Sequence, residues 1–400
     1  MAKVLISSIG AGQKSDGGYR TTKYEMNGEI KETPFISKAL SDFLKIDKLF
    51  LVGTKASIWE SVYTEFGGEE KAMELYEKQE SKTLSLEDLK PVEEVISRAL
   101  GSSGSRCFLI DYGVDEKELW NNFSIYLQIL EYIQSGDEVY IDITHSFRSL
   151  ALMSFLMVQF GQTIKKKDFR ISGIYYGMYE YAGENGSIAP IVDLKIFYDL
   201  LEWMKAIENL TNYGNADKIV NLLENKNEKN LFNHFTLSLR MANLAAIRSN
   251  VESLSRKFNI IDNSSNPIVQ LLSPQIKEFI TRLDKKSTSE FQLAMAEWFW
   301  EHKHYALGYI ALVESIVTKV CEKLGYKKGY KEMDKDEREK AKKEVSKVDK
   351  ELYFDIYKSA NQIRNDIAHQ SGKRKDSLLQ DARSLQTYIQ KTQKIFQRLN

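Results

Sequence analysis

The sequence predicts an α/β domain with a mostly parallel sheet over residues 1–205, followed by an all-helical region over residues 206–400. Short apolar segments alternate with helical patterns in the first half, which is typical of parallel strands joined by right-handed crossovers. No convincing strand follows, and helical periodicity continues to the end of the chain. At 400 residues the chain is also long for one hydrophobic core, so two domains are expected.

The composition excludes several classes of protein. Lysine plus arginine and aspartate plus glutamate both number 56, so contact with nucleic acid would need local patches. Cys107 and Cys321 lie in apolar runs and are expected to be free, packed thiols of a reducing compartment. The first apolar run is too short for a signal peptide, and no run approaches the length of a membrane span. We therefore expect a cytoplasmic protein with no membrane contact.

The first strand leads into a glycine loop and then a hairpin. Residues 3–8 form the strand, Gly10 and Gly12 follow it, and Asn27-Gly28 is a strong hairpin signal. A dinucleotide-binding loop would need a third glycine and an immediate helix, and both are missing here. The sequence thus argues against a nicotinamide site.

The rest of the first domain alternates regularly between helices and strands. A turn is expected at 183–186, before the last strand. The predicted helices are 35–44, 58–78, 91–100, 116–134, 150–160 and 194–210, and the further strands are 48–52, 107–110, 138–143, 169–176 and 188–192. Ligands of such sheets bind beyond the carboxyl ends of the strands.

The most informative loop follows the strand at 138–143 and carries Thr144, His145, Ser146 and Arg148. Hydroxyls, a guanidinium and the amides of a helix start are suited to hold a phosphate or a ribose. Thr144 and Ser146 could equally be helix caps. A serine-hydrolase site is rejected because no glycines flank Ser146 in the manner of a nucleophile elbow.

The second region reads as successive helices. The segment 327–350, dense in both charges, is expected to be a solvated helix or an excursion from the fold. The other predicted helices are 233–258, 268–283, 290–302, 305–324, 352–369 and 377–399.

The helix at 352–369 carries polar residues at its end. Its apolar stripe, expected to face a core, is Leu352, Ile356, Ala360, Ile363 and Ile367. Asn365 and His369 are four residues apart and share another face, next to Arg364. The spacing alone is also compatible with a surface ion-pair arginine and a capping histidine.

Two carboxylates are candidates for a supporting role. Glu314 lies within the apolar stripe of the helix at 305–324 and needs a partner there. We expect that helix to pack on 352–369, with Glu314 holding Arg364 or a neighbouring donor, although a glutamate at the helix edge could simply reach water. Asp366 could fix the tautomer of His369 or remain a solvated acid.

These motifs resemble those of type III CRISPR accessory proteins with a CARF sensor domain and a HEPN ribonuclease domain. The segment 142–148 is similar to the Asp-x-Thr-His-Gly-x-Arg signature of CARF domains, with Ser146 in place of the glycine. The loop of Gly10 and Gly12 and the segment 190–194 also resemble that family. The segment 364–369, Arg-Asn-Asp-Ile-Ala-His, matches the spacing of the HEPN motif.

The resemblance implies a Rossmann-like CARF domain and an all-α HEPN domain in a homodimer. A cyclic oligoadenylate, acting as allosteric activator, would bind across the two-fold axis of the CARF pair. The residues implied in ligand binding are Ser8, Gly10, Gly12, Thr144, His145, Ser146 and Arg148. The HEPN pair would form one composite site that cleaves single-stranded RNA in antiviral defence.

Such a ribonuclease needs neither a metal nor a cofactor if the ribose 2′-hydroxyl is the nucleophile, and a cyclic phosphate product is then expected. His369 is suited to move protons, as base, acid or both, and Arg364 to hold phosphate oxygens. Asn365 would orient the imidazole or the phosphate. No set of histidines and carboxylates has metal-ligand spacing.

Two other functions remain open. The chain could be a cyclic-oligoadenylate sensor or adaptor whose HEPN domain only dimerises or binds RNA. It could also be a ring nuclease that degrades its own activator at residues 144–148. The basic run at 373–375 could grip flanking phosphates or be merely solvated.

Overall fold

The computed structural model describes residues 1–12, 14–15, 18–145, 148–185, 188–262, 267–369 and 378–399. The chain divides into two compact units, Met1–Tyr198 and Asp199–Asn400.

An eight-stranded sheet forms the centre of the first unit. In chain order the strands of this unit are β1 (Lys3–Ile9), β2 (Lys14–Ser15), β3 (Gly18–Tyr19), β4 (Thr22–Met26), β5 (Glu29–Thr33), β6 (Lys48–Gly53), β7 (Arg106–Leu109), β8 (Glu138–Asp142), β9 (Arg170–Gly177) and β10 (Ile188–Asp193), of which β2 and β3 pair only with each other. The strand order in the sheet is β5-β4-β10-β9-β8-β1-β6-β7. The strands β7, β6, β1, β8 and β9 are parallel, whereas β10 runs antiparallel to β9. The predicted mostly parallel sheet is therefore confirmed.

The predicted hairpin is confirmed between β4 and β5. Asn27 and Gly28 both have positive φ, 54° and 83°. Two successive residues of this kind form the turn whose twist matches that of the flanking strands.

Helices cover both faces of the sheet, and alternate residues of β1 point into two separate cores. Val4 and Ile6 enter one core, and Leu5 and Ile9 enter the other. The helices of this unit are α1 (Ile36–Leu44), α2 (Trp59–Glu65), α3 (Ala72–Glu80), α4 (Lys90–Ala99), α5 (Glu116–Tyr132), α6 (Arg148–Thr163) and α7 (Tyr179–Asn185), and α8 (Lys195–Tyr213) begins in this unit and continues into the second.

Two local predictions in this unit are wrong. The segment 58–78 forms two helices, because Gly67 has a φ of 90° and an added Cβ at Gly68 would meet the ring of Tyr63. Residues 183–185 belong to α7 rather than to a turn, and Glu180 in the first turn of α7 favours that helix.

The second unit is helical throughout its described residues, as predicted. Its helices are α9 (Asp217–Leu222), α10 (Lys226–Arg240), α11 (Leu244–Asp262), α12 (Pro267–Leu283), α13 (Thr288–Glu301), α14 (Tyr305–Leu324), α15 (Lys327–Lys331), α16 (Lys335–Val348), α17 (Lys358–Ala368) and α18 (Leu378–Leu399). A π-helical turn, Leu352–Tyr357, leads directly into α17.

Two predictions in this unit also need correction. The single helix expected at 233–258 is interrupted between α10 and α11, where Ala242 has a φ of 50°. Of the two alternatives for the segment 327–350, the helix is confirmed by α15 and α16, but α16 is not fully solvated, because it packs against α14 and buries Ala341 and Val345 completely.

Candidate functional site

A cavity of about 300 Å³ opens at the carboxyl edge of the sheet in the first unit. Both predicted loops reach it: Gly12 follows β1, and Thr144 and His145 follow β8. They meet there because β1 and β8 are adjacent parallel strands. The complete lining is Ala11, Gly12, Arg20, Thr22, Tyr24, Pro34, Thr144, His145, Tyr176, Gly177, Tyr179 and Glu180.

Buried Asp142 fixes the start of the loop after β8. One of its carboxylate oxygens accepts a hydrogen bond from the Ser7 hydroxyl at 2.5 Å, and the other accepts from the Thr144 amide at 2.9 Å. The Thr144 hydroxyl in turn accepts from the amide of Gly177 on β9 at 2.8 Å. This chain of bonds ties three neighbouring strands together, so the position of Thr144 is set by the sheet.

His145 and Tyr24 form the polar part of the cavity wall. The His145 Nε2 lies 3.5 Å from the Tyr24 hydroxyl, and Tyr24 is almost completely buried. Burial lowers the pKa of His145 and raises the pKa values of Asp142 and Tyr24. A neutral imidazole can accept a hydrogen bond from a ligand, which an imidazolium cannot.

Four lining residues had no local signal in the sequence. The guanidinium of Arg20 lies over the ring of Tyr179, 5.3 Å from its centroid. A backbone hydrogen bond at Glu180 lowers the pKa of its carboxyl, and the Tyr176 hydroxyl, which donates to that carboxyl at 2.8 Å, lowers it further. A stacked cation, tyrosine rings and one carboxylate are suited to a nucleotide with its phosphate and base edges.

The two loop glycines differ in how strictly glycine is required. Gly12 has a φ of 68°, and an added Cβ would lie 2.6 Å from the Tyr19 ring, so a side chain there would be strained and would clash. Gly10 is in ordinary contact with the loop after β8, with 3.9 Å between an added Cβ and the His145 carbonyl, so there is room for a Cβ at that position.

Ser8 and Gly10 are predicted ligand residues that do not line this cavity, and two further predicted residues cannot be compared with it. Ser8 is 3% exposed and belongs to the opposite face of β1 from Ser7, so its predicted ligand contact is not supported by its position. Ser146 lies outside the described residues. Arg148 begins α6, but its side chain is also outside the described part of the structure.

The second candidate site lies at the end of α17. Arg364 and Asn365 are half-buried, and His369 is an exposed C-cap residue whose amide donates to the Asn365 carbonyl at 2.9 Å. Among the described residues, no carboxylate forms an ion pair with Arg364. Among the described residues, the motif of one chain thus presents one guanidinium, Arg364, and one imidazole, His369, at this helix end.

The apolar stripe that anchors α17 ends earlier than predicted. Ile356, Ala360 and Ile363 are buried, but Ile367 is 41% exposed. The prediction that Ile367 faces the core is therefore wrong, and the last turn of α17 extends beyond that core. Asp366 accepts a hydrogen bond from Gln362 at 2.9 Å.

Glu314 has a cationic partner, and it is Arg338 of α16. The two side chains form a charge-assisted hydrogen bond, and the Arg338 Nη1 also donates to the Thr318 hydroxyl at 3.0 Å and to the Gly329 carbonyl at 2.9 Å. The packing of α14 against α17 is confirmed. Sequence analysis missed Arg338 because it lies within the charge-dense segment.

Tyr357 lies between this ion pair and the predicted catalytic residues. It ends the π-helical turn before α17 and is 6% exposed. Burial raises the pKa of Tyr357 to about 12, while the positive charge of Arg364 acts in the opposite direction. The negative charge of Glu314 also raises this pKa, so Tyr357 is electrostatically coupled to both residues.

The described ranges contain neither a metal-binding cluster nor a membrane-spanning helix. No group of three or more histidine, cysteine or acidic residues in the described ranges is arranged to hold a metal ion. Within the same ranges, every helix is too short or too polar to cross a membrane.

Family comparisons cover both units. Residues 4–180 match the family described as the CARF domain of the CRISPR system endoribonuclease Csx1. Residues 199–289 match the second domain of the CRISPR-associated protein MJ1674.

Two individual proteins are also similar. The chain is 34% identical over 348 residues to the CRISPR-associated protein MJ1674 of Methanocaldococcus jannaschii, covering 80% of this chain and 54% of that protein. The chain therefore spans about half the length of this curated relative. A solved structure of Enterococcus italicus Csm6 bound to cyclic hexa-2′-fluoro-hexa-dAMP aligns with a TM-score of 0.45 and 12% identity, over 100% of this chain and 94% of that one.

Proposed function

We propose that this chain, a CRISPR-associated CARF protein related to Csx1, is a ribonuclease activated by a cyclic oligoadenylate. The first unit binds the ring, and the second cleaves single-stranded RNA without a metal ion. The observation that carries the nuclease assignment is the triad of Arg364, Asn365 and His369 at the solvent-facing end of α17.

The proposed activator site is the cavity at the carboxyl edge of the sheet. Arg20 offers a guanidinium to a phosphate, and Tyr176 and Tyr179 offer rings to a base. Neutral His145 and the Thr144 hydroxyl supply hydrogen bonds of fixed direction, since Asp142 and Gly177 hold that loop. The combination favours a ligand that repeats phosphate, ribose and base.

The proposed chemistry is transfer of the phosphodiester to the neighbouring ribose. The 2′-hydroxyl gives its proton to a base while its oxygen bonds to phosphorus. The bond from phosphorus to the 5′-oxygen breaks, and an acid delivers a proton to that leaving oxygen. His369 moves the protons, and Arg364 stabilises the negative charge of the transition state. Asn365 orients the phosphate or the imidazole. The product is a 2′,3′-cyclic phosphate.

A homodimer is part of the proposal because the motif at 364–369 contains one arginine and one histidine in each chain. Exposed apolar side chains support a self-association surface on the first unit. Leu152 and Leu156 are 61% and 47% exposed on α6, and Ile196 and Phe197 are 52% and 63% exposed at the start of α8. These two helices are adjacent, since Ala151, Phe155, Leu194 and Phe197 line one apolar recess. Patches of this kind mark interaction sites.

The decisive experiment measures cleavage of a generic single-stranded RNA in EDTA, with and without cyclic oligoadenylates of different ring sizes. We expect cleavage only with one ring size, and loss of at least a hundredfold in rate in His369→Ala, the lower end of the usual contribution of a general acid or base. The matched control is His234→Ala, because His234 is an exposed histidine on α10. Ring binding without cleavage under any condition would instead make the chain a sensor or adaptor.

A second candidate activity is degradation of the activator by the first unit. It is favoured by the neutral imidazole of His145 on the cavity wall, 3.5 Å from the Tyr24 hydroxyl, where a proton acceptor would touch a bound ring. Activator turnover that survives Arg364→Ala and is lost in His145→Ala would establish it. Turnover lost in Arg364→Ala would assign the degradation to the second unit.

A further inference from the structure

A second and larger cavity, of about 720 Å³, lies within the helical unit. Its cations come from four separate elements: Arg248 on α11, Lys286 before α13, Lys319 and Lys323 on α14, and Lys331 on α15. Among the described lining residues, Glu322 is the one that carries a carboxylate. The chain as a whole has equal numbers of basic and acidic residues, so this concentration of positive charge is local.

Two of these charged groups are used by the fold. Arg248 donates to the Thr288 hydroxyl and, at 3.1 Å, to the Lys286 carbonyl, and it pairs with Glu252. Glu322 accepts from the amide and hydroxyl of Ser289 at 3.1 and 2.6 Å. Glu322 is thus turned toward the start of α13, and Lys286, Lys323 and Lys331 are the exposed lysines of the described lining that are placed to meet a ligand.

Lys319 is an unusual lysine for a wall residue. It is 4% exposed, and its ammonium lies 5.3 Å from the centre of the Phe396 ring. Burial lowers its pKa, so an anion bound in the cavity would favour its charged form. Lys286, Lys323 and Lys331 are exposed around it.

The remaining wall favours a strand of nucleic acid over a compact anion. The half-buried side chains of Tyr330, Met333 and Leu399 lie among the cations, where a base could stack on the tyrosine. The positive charges come from three helices and from the segment before α13. Spread charges with an aromatic platform are typical of sites that follow a single-stranded backbone.

We propose that this cavity is an auxiliary site for the phosphodiester backbone of single-stranded RNA, distinct from the residues that cleave it. None of Arg364, Asn365 and His369 lines it. The proposal rests on the proposed function, because it takes RNA as the substrate. It adds that the protein holds a segment of the strand outside the cleavage site, so long RNA is bound more tightly than short RNA.

The test uses the double variant Lys323→Gln/Lys331→Gln in the His369→Ala background, which prevents cleavage during the measurement. Binding of a fluorescent single-stranded RNA is titrated over a range of salt concentrations. Loss of two phosphate contacts is expected to weaken RNA binding roughly tenfold at low salt. The slope of the logarithm of the binding constant against the logarithm of the salt concentration should become less steep by about 1.4. The matched control is Lys340→Gln/Lys343→Gln, two exposed lysines of α16 outside the lining.

A cleavage assay with the same lysine variants in the active protein separates this proposal from the proposed function. We expect KM for a long RNA to rise about tenfold with kcat unchanged, and cleavage of a trinucleotide to be unaffected. Wild-type protein that cleaves nothing, yet loses RNA binding in the lysine variant, would support the cavity site and refute the nuclease. Unchanged RNA binding in the lysine variant would overturn the cavity site, whether or not inorganic triphosphate is found to bind there.

Discussion

Individual residues of the activator cavity differ in how much change they tolerate, and Gly12 is the strictest. A side chain there meets both an unfavourable φ and the ring of Tyr19 at 2.6 Å. We expect Gly12→Ala to lower the free energy of unfolding by roughly 2 kcal/mol and to weaken activator binding, because the loop must move. Thermal unfolding and calorimetric titration with the ring measure the two effects.

Gly28 provides the control for Gly12. Its φ is also positive, 83°, but nothing lies within 4 Å of an added Cβ. Gly28→Ala should therefore lower the free energy of unfolding only by the cost of the positive φ, about 1 kcal/mol, and should leave activator binding unchanged. Equal effects of the two alanines would mean that the contact with Tyr19 is unimportant.

Arg20 is the residue we expect to contribute most to activator affinity from outside the predicted loops. It is exposed, and its guanidinium is held over Tyr179, so it can meet a phosphate with little loss of freedom. Arg20→Gln should weaken ring binding by roughly tenfold to a hundredfold, which corresponds to the 1.5–3 kcal/mol of a hydrogen bond to a charged group. Lys23→Gln, an exposed β4 variant outside the cavity lining, should bind the ring normally.

Three of the twelve residues that line this cavity were predicted from the sequence, because they directly follow predicted strands. Gly12, Thr144 and His145 follow strands that the local pattern reveals, and parallel strands bring their ends together. Arg20 and Tyr179 could not be predicted, because they reach the cavity through the pairing of β10 with β4 and through the short helix α7. Such long-range contacts leave no periodic signal.

Among the helices, α16 is the one whose role the sequence analysis missed. Its buried residues are Arg338, Ala341 and Val345, three and four positions apart. That is a helical stripe in which an arginine replaces an apolar residue, and the dense surrounding charges obscured it. A helical pattern that accepts one charged residue among its buried positions predicts both α16 and the arginine that pairs with Glu314.

The Arg338–Glu314 pair predicts that α16 stabilises the helical unit. Arg338→Gln leaves Glu314 without its cation and removes the donor to Thr318 and Gly329. We expect a loss of about 2–3 kcal/mol, less than for a fully buried pair because the Glu314 side chain is 29% exposed. Urea unfolding measures this. The control, Arg398→Gln, breaks ion pairs of a 58% exposed arginine and should cost at most about 1 kcal/mol.

The same pair bears on cleavage through α17. Glu314 and Arg364 both act on Tyr357, in the π-helical turn that leads into α17. If Glu314 is a positioning residue, Glu314→Gln lowers kcat with little change in KM, and Glu314→Asp restores part of the loss. Unchanged cleavage and unchanged dimer stability in Glu314→Gln would remove Glu314 from any supporting role.

At the scale of the whole molecule, the proposal requires two chains for each activator and each cleavage site. A ring with two-fold symmetry matches a two-fold pair of cavities, so binding the ring and pairing the α17 ends favour the same assembly. The differential affinity of the ring for the active arrangement sets the largest possible activation. Calorimetry should therefore give one ring per two chains.

The apolar surface on α6 and α8 provides the test of that assembly. Leu156→Asp places a charge within the exposed set of Leu152, Ile196 and Phe197. We expect sedimentation to show a monomer, with ring binding weakened and RNA cleavage lost, since a charge buried in an interface without a partner is strongly unfavourable. Met73→Asp is the control, because Met73 is 69% exposed on α3 of the same unit. A Leu156→Asp protein that still cleaves RNA as a monomer would show that one α17 is sufficient, and the composite site would have to be abandoned.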